Sequence, residues 1–356
     1  MSLSRAQKKY FTLQITEECL RMCSHCFVDA NSEGKSVEFS DLESSVAQIA
    51  QLVHERPEKF EDYVALTGGD ILFYESHGFN LGDVIDLIHS HDLEVTYATR
   101  GFTNKEKETN ALAYRNFNEI QKRHSNSGYK PTITLSFDTY AYDGNIDLSK
   151  EMAINVIREL IDSNIDYNIR TVMSLESAYD TYVSVLELMD QIRFSPITNL
   201  TEQSTIFHED TNEETVRRFE SNLLIEFYRN FKSAPQITFR DGYGKTIDVS
   251  FYDIIKDGRG NYLDETPLLP ASNCSVSQSN NSEFVIRYDQ GIVPCCNNDF
   301  SKLPVLGNLK DNTLKEILSN YYEYSLGVFK MQQDVRTVLK GEDICTVCPR
   351  ILAEYF

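Results

Sequence analysis

A chain of 356 residues, 41% hydrophobic and 25% charged, is long enough to bury a large core in one big domain or two. Its formal net charge of −20 excludes the basic footprint that a nucleic-acid binder needs to neutralise phosphates. An acidic surface suits a cationic partner, or serves only to keep the chain dissolved.

Residues 1–9 are polar and basic with no apolar segment behind them, so no secretory signal is visible. No apolar run reaches the ~20 residues of a membrane span. A cytoplasmic location is therefore expected, where the eight cysteines are more often metal ligands than disulfide partners. Residues 10–16 read as a buried strand delivering a loop that holds Cys19, Cys23 and Cys26. Ser40 and Glu43 form a capping-box pattern before Leu42, Val46, Ile49 and Val53 at helical spacing, which predicts a helix over 41–54. Strand 63–66 follows and ends in Thr67-Gly68-Gly69-Asp70. Next come helix 81–90, strand 93–98, helix 106–124, strand 132–137, helix 148–162, strand 166–173, helix 178–192 and a weaker strand near 197–203. Thr211 and Glu214 give a second capping-box pattern, opening helix 212–231.

Six strand–helix alternations over about 220 residues imply parallel pairing with right-handed crossovers. A doubly wound sheet has the same periodicity, so the pattern alone does not choose between that and a barrel. From about residue 235 the rhythm changes. Strand-like runs at 236–240 and 246–251 flank the turn Asp241-Gly242-Tyr243-Gly244. A hairpin (284–288, 292–294), helix 313–320 and five more cysteines follow, which suggests a division into residues 1–235 and 236–356.

Three thiols spaced Cys-x-x-x-Cys-x-x-Cys on one loop are soft donors that select iron–sulfur clusters, zinc or Cu(I). A zinc site completed by His25, or a disulfide with a spare thiol, uses the same residues. Placement of the loop just past a first strand in a β/α series weighs against both. The loop Cys19-Leu20-Arg21-Met22-Cys23-Ser24-His25-Cys26 resembles the signature of the radical SAM superfamily. That resemblance implies a partial (β/α)6 TIM-like barrel within an α/β fold. It also implies a 4Fe-4S cluster whose fourth iron binds S-adenosyl-L-methionine (SAM), fed by an external donor such as flavodoxin or ferredoxin. Barrel folds place functional groups at the C-terminal ends of strands, where both the cysteines and Gly68-Gly69 fall.

Gly68-Gly69-Asp70 resembles the family's Gly-Gly-Glu motif, which implies contact with the methionine amino group of SAM, with Asp in place of Glu and Ile71 in place of the usual Pro. By the same resemblance, His25 and Phe27 lie near the adenine, and Ser136 and Asp138 near the ribose and carboxylate. Arg170 sits among apolar neighbours in the fifth strand, where a carboxylate partner is expected, either that of SAM or a structural Asp or Glu.

Cys274, Gly291 to Cys295, Gly307-Asn308-Leu309 and Cys345-x-x-Cys348 are similar in order to the C-terminal cluster domains of radical SAM enzymes, closer to the shorter Twitch form than to full SPASM. This small α+β unit is expected to hold a second, auxiliary 4Fe-4S cluster through Cys274, Cys295, Cys345 and Cys348. A structural zinc ribbon is the competing reading. One thiol remains, Cys296, although Cys295 and Cys296 can exchange roles. It is either a small buried hydrophobe or a hydrogen donor to a substrate radical. The family implies hydrogen abstraction from an unactivated carbon, on a ribosomally made peptide (crosslinking or epimerisation) or on a small aminoglycoside or polyol. About nine residues precede the first strand, leaving no room for a leader-binding domain, which weighs against the peptide without removing it. A non-catalytic iron–sulfur or zinc protein would leave the barrel unused.

Overall fold

The computed structural model describes residues 8–21, 23, 26, 30–125, 129–137, 145–197, 213–231, 234–253, 283–294 and 305–321. In chain order these form β1 (Lys9–Thr16), α1 (Phe39–Glu55), β2 (Phe60–Gly68), a 3-10 turn (Ile71–Phe73), β3 (Glu75–Ser76), β4 (Phe79–Asn80), α2 (Leu81–Ser90) and β5 (Glu94–Thr99). Then come α3 (Asn104–Thr109), α4 (Leu112–His124), β6 (Thr132–Ser136), α5 (Ile146–Leu160), β7 (Asp166–Met173), α6 (Ala178–Gln191), β8 (Ser195–Pro196) and α7 (Glu213–Phe231). The series closes with β9 (Gln236–Arg240), β10 (Thr246–Asp253), β11 (Glu283–Ile286), β12 (Gly291–Val293), β13 (Gly307–Asn308) and α8 (Leu314–Ser319).

One sheet runs β13-β12-β11-β1-β2-β5-β6-β7-β10-β9-β8. Within it β1, β2, β5, β6, β7 and β10 pair in parallel, each next to its predecessor. A doubly wound sheet must reverse direction at a switch point. The run from β1 to β10 never does, so these six strands have the singly wound order of a partial (β/α)6 barrel. Alternation along each strand explains its two faces. Phe11, Leu13 and Ile15 of β1 turn into the core with Val64, Leu66, Val95, Ile133, Leu135, Ile169 and Val249. Burying each such side chain is worth roughly 1.5–3 kcal/mol, and a one-residue slip would turn the whole set to the other face. The opposite face is polar: Thr12, Gln14, Thr67, Thr96, Thr134, Ser136, Asn168, Arg170 and Ser250.

Three expectations change. Helix α1 starts at Phe39 with Glu38 as its N-cap and no side-chain cap, so Ser40 and Glu43 form no capping box; Phe39 instead stacks on Phe79 with ring centroids 4.1 Å apart, which draws the helix start forward. The stretch 106–124 is two helices, because Asn110 adopts φ 51 and ends α3 in a left-handed turn. A capping box does form there, between Thr103 and Glu106. Finally, the sixth parallel strand is β10, not residues 197–203; only Ser195–Pro196 pairs nearby, antiparallel at the sheet edge, and 198–203 and Thr211 lie outside the described residues. The runs at 236–240 and 246–251 are strands as expected, but they belong to the main sheet, past the 235/236 division.

The C-terminal hairpin extends the same sheet beyond β1. β11 lies parallel to β1, where Glu283 accepts hydrogen bonds from Tyr10 Oη (3.0 Å) and Thr12 Oγ1 (2.5 Å). The β11–β12 turn is tied to α1 by Ser45 Oγ donating to Gln290 Oε1 at 2.5 Å.

Between α2, α4 and β5 a buried imidazole makes a pH test of the fold. His124 is fully buried, its Nε2 is 2.6 Å from Tyr97 Oη, and its Nδ1 has no partner among the described residues. The His89 ring lies edge-on at 5.3 Å, and Arg123 is held nearby by Asp86 and Glu119. Burial, then His89 and Arg123, push the His124 pKa from 6.5 down to about 4. A depressed histidine costs nothing above its unfolded pKa; below it the unfolded chain takes the proton first. Stability is therefore expected to fall by roughly 3 kcal/mol between about pH 6.5 and pH 4 from this group. Urea unfolding of the protein and of His124→Gln across that window checks it. Parallel pH profiles would assign the acid sensitivity elsewhere.

Candidate active site

Parallel pairing sets the end of β1 beside the end of β2, with Thr16 opposite Gly68. The two loops beyond are stitched together: Gly69 N–H donates to the Thr16 carbonyl (2.7 Å) and Asp70 N–H to the Glu18 carbonyl (3.0 Å). A Cβ on Gly68 would lie 2.0 Å from the Thr16 oxygen, and one on Gly69 2.2 Å from the Glu18 oxygen. Gly68 also adopts φ +141, which only glycine enters without strain. The sequence assigns these glycines to ligand approach. In the structure their missing side chains make room for the cysteine loop.

Asp70 follows the two glycines. Its carboxylate is buried and accepts from Thr99 Oγ1 (2.7 Å), Leu72 N–H (3.1 Å) and Arg100 N–H (3.1 Å). Burial raises its pKa, while those hydrogen bonds and the Arg21 charge pull it back. So engaged, this side chain fastens the β2 and β5 ends together.

Two arginines that the sequence reading passed over complete the frame. Arg21, inside the cysteine motif, donates to the Gly101 carbonyl (3.1 Å) and to both Glu106 oxygens (3.0 and 2.9 Å), with its guanidinium 5.1 Å over the Phe73 ring. Arg100, at the end of β5, is buried, with Nη1 2.9 Å from Cys23 Sγ and Nη2 3.2 Å from Ser149 Oγ of α5. The only sequence signal for either was an arginine at a strand end or between ligands, which is too common to single out.

Cys19, Cys23 and Cys26 form no disulfide, which weighs against the disulfide alternative. Cys19 and Cys23 are buried and Cys26 half-buried, with Cys26 N–H turned back onto the Cys23 carbonyl at 3.2 Å. Burial, Asp70 and the neighbouring Cys23 and Cys26 push the Cys19 thiol up to about 12, so a soft cation must displace its proton to bind. Among the described residues no three Cys, His, Asp or Glu side chains converge as one metal ion requires. Three thiolate donors on one loop are the soft ligand type that an iron–sulfur cluster takes.

On the polar face below this loop, Ser136 and Arg170 are register partners on β6 and β7. Arg170 is exposed there. Its guanidinium lies 4.6 Å over the Tyr252 ring, at a cavity of about 140 Å³ lined by Thr134, Asn168, Asp248 and Ser250. The same face of β1 carries Gln14, buried, whose Oε1 has no partner among the described residues. His25, Phe27, Asp138, Cys274, Cys295, Cys296, Cys345 and Cys348 lie outside the described residues.

Residues 274–349 match the family model SPASM, an iron–sulfur cluster-binding domain, and the match spans all five C-terminal cysteines. That match assigns residues 274–349 to an iron–sulfur cluster-binding domain, carried on the same chain as a singly wound β/α sheet whose first strand ends in the Cys-x-x-x-Cys-x-x-Cys loop. Among solved structures the chain is similar to Streptococcus suis SuiB bound to S-adenosylmethionine, at 12% identity and TM-score 0.47, over 88% of this chain and 66% of that one. It is also similar to anSMEcpe with bound AdoMet (16%, TM-score 0.49, 90% and 83%) and to BtrN in complex with AdoMet and 2-DOIA (13%, TM-score 0.38, 95% and 91%). The chain thus spans just under two thirds of the length of SuiB, and likenesses at these scores assign no activity. No curated protein matches it. No helix among the described residues is long and apolar enough to cross a membrane.

Proposed function

We propose that Cys19, Cys23 and Cys26 hold a 4Fe-4S cluster to which SAM binds, and that the protein uses this pair to modify a ribosomally synthesised peptide by crosslink formation or epimerisation. One observation carries the reading: three cysteines outside any disulfide on a single loop, fixed by backbone hydrogen bonds to the Gly68-Gly69 turn at the C-terminal edge of the parallel strands. When bound, the cluster supplies the electron that splits SAM and yields the 5′-deoxyadenosyl radical that takes a substrate hydrogen.

The chain's own part is to hold and orient. Arg170 offers a forked donor to the SAM carboxylate, with the Ser136 hydroxyl beside it on the neighbouring strand. Gln14 Oε1 offers a buried acceptor on the same face. Asp70 acts through the loops it fastens. The polar inner face, crowded with threonine, serine and asparagine, suits a substrate rich in amides. Cys274, Cys295, Cys345 and Cys348 are assigned to the auxiliary cluster, and Cys296 to returning a hydrogen to the substrate.

Anaerobic incubation of the reduced protein with SAM and a precursor peptide tests the reading, with 5′-deoxyadenosine as the readout. Turnover on an aminocyclitol but not on peptides would move the substrate to the sugar class, and no 5′-deoxyadenosine with either would end the proposal. Arg170→Ala is expected to weaken SAM binding about 10- to 100-fold, the worth of a lost charged hydrogen bond, with iron content unchanged. Unaltered SAM affinity would free Arg170 for the substrate instead.

A further inference from the structure

We infer that Arg100 sets the reduction potential of the N-terminal cluster through its hydrogen bond to Cys23. The inference rests on the cluster assignment just proposed and goes one residue beyond it.

The geometry is specific. Nη1 of Arg100 stands 2.9 Å from Cys23 Sγ, a contact in which both groups are buried. The guanidinium does not swing freely to reach it. Its backbone N–H is fixed to Asp70 Oδ2 (3.1 Å), and Nη2 to Ser149 Oγ (3.2 Å), which is itself buried on α5. Asp70 in turn is tied to Thr99 and to the turn beginning at Leu72. One rigid unit built from the ends of β2 and β5 and from α5 therefore aims a cation at one ligand of the triplet.

Reduction adds a negative charge to the cluster and spreads it onto its thiolates. A cationic N–H donor on a thiolate favours the electron-rich state, and hydrogen bonds to the sulfurs are among the terms that set such potentials. The effect is larger out of water, where the charge is little screened. Arg100 accordingly makes the cluster easier to reduce by a cellular donor, at the cost of some driving force for splitting SAM.

The test is a redox titration, followed by electron paramagnetic resonance, of the anaerobically reconstituted full chain. The relevant signal is the one absent from a Cys19→Ala/Cys23→Ala/Cys26→Ala variant, which separates it from the auxiliary cluster. If that triple variant loses no signal, the cluster assignment itself fails, independently of Arg100. With the assignment standing, Arg100→Met is expected to lower the reduced-to-oxidised ratio about tenfold at a fixed ambient potential, about 59 mV for one electron. Arg100→Lys, which keeps the charge but cannot bridge Cys23 and Ser149 together, should shift it less and in the same direction. An unchanged potential in either loaded variant overturns the inference. Failure of both variants to load iron, with the auxiliary signal intact, also overturns it, since Arg100 would then serve assembly instead of potential.

Discussion

Cys23→Ala is expected to abolish 5′-deoxyadenosine formation, by at least ~100-fold, while leaving the auxiliary cluster's share of the iron in place. Even a partner of a metal ligand commonly costs 10- to 100-fold when removed, and Cys23 is placed here as a ligand itself. It also accepts the Arg100 hydrogen bond, so its loss strands a buried guanidinium donor as well. Iron analysis and product release measured on one preparation check both halves. Full product release by the variant would mean that the loop does not hold the reactive centre. Loss of all iron would mean that the two centres do not assemble independently.

The second large effect needs no change in any ligand. Gly69→Ala places a Cβ 2.2 Å from the Glu18 carbonyl oxygen, and that neighbour is backbone, which cannot rotate aside. Relief requires the cysteine loop to lift away, breaking the Gly69-to-Thr16 and Asp70-to-Glu18 hydrogen bonds. Overpacking of this kind costs 1–3 kcal/mol, and with the lost hydrogen bonds about 3 kcal/mol or more is expected, together with loss of the N-terminal iron. Gly242→Ala, where a Cβ meets nothing within 4 Å, should change stability by no more than about 0.5 kcal/mol. Thermal unfolding and iron content of the two variants make the comparison. Normal loading in Gly69→Ala would show that the stitched turn is not what holds the loop.

Reading strands from alternation succeeded wherever one face is apolar. The range 166–173 for β7 and the range 81–90 for α2 match the structure residue for residue, because burial of one face is a local, periodic demand. It failed where a choice depended on distant partners. Helix 106–124 was read through Asn110 since nothing in its periodicity announces a left-handed turn. The sixth strand was sought near 197–203, yet the place beside β7 goes to Thr246–Asp253, whose Val249 and Phe251 bury fully there. Two of the donors that Asp70 gathers, at Thr99 and Arg100, lie about 30 residues away and cannot be seen as neighbours along the chain.

By itself the sequence determined the donor type: softness belongs to the residue, and three thiols within eight positions share a loop whatever the rest of the chain does. It also determined a β/α series, since each element's buried face repeats locally. Only the tertiary structure decided what holds and tunes that loop. Arg100 meets Cys23 across 77 residues, and the β2 turn meets β1 across about 50, through contacts that exist only once parallel strands lie side by side. Ser136 and Arg170 likewise share one level of the inner face through strand register, which no spacing within either strand encodes.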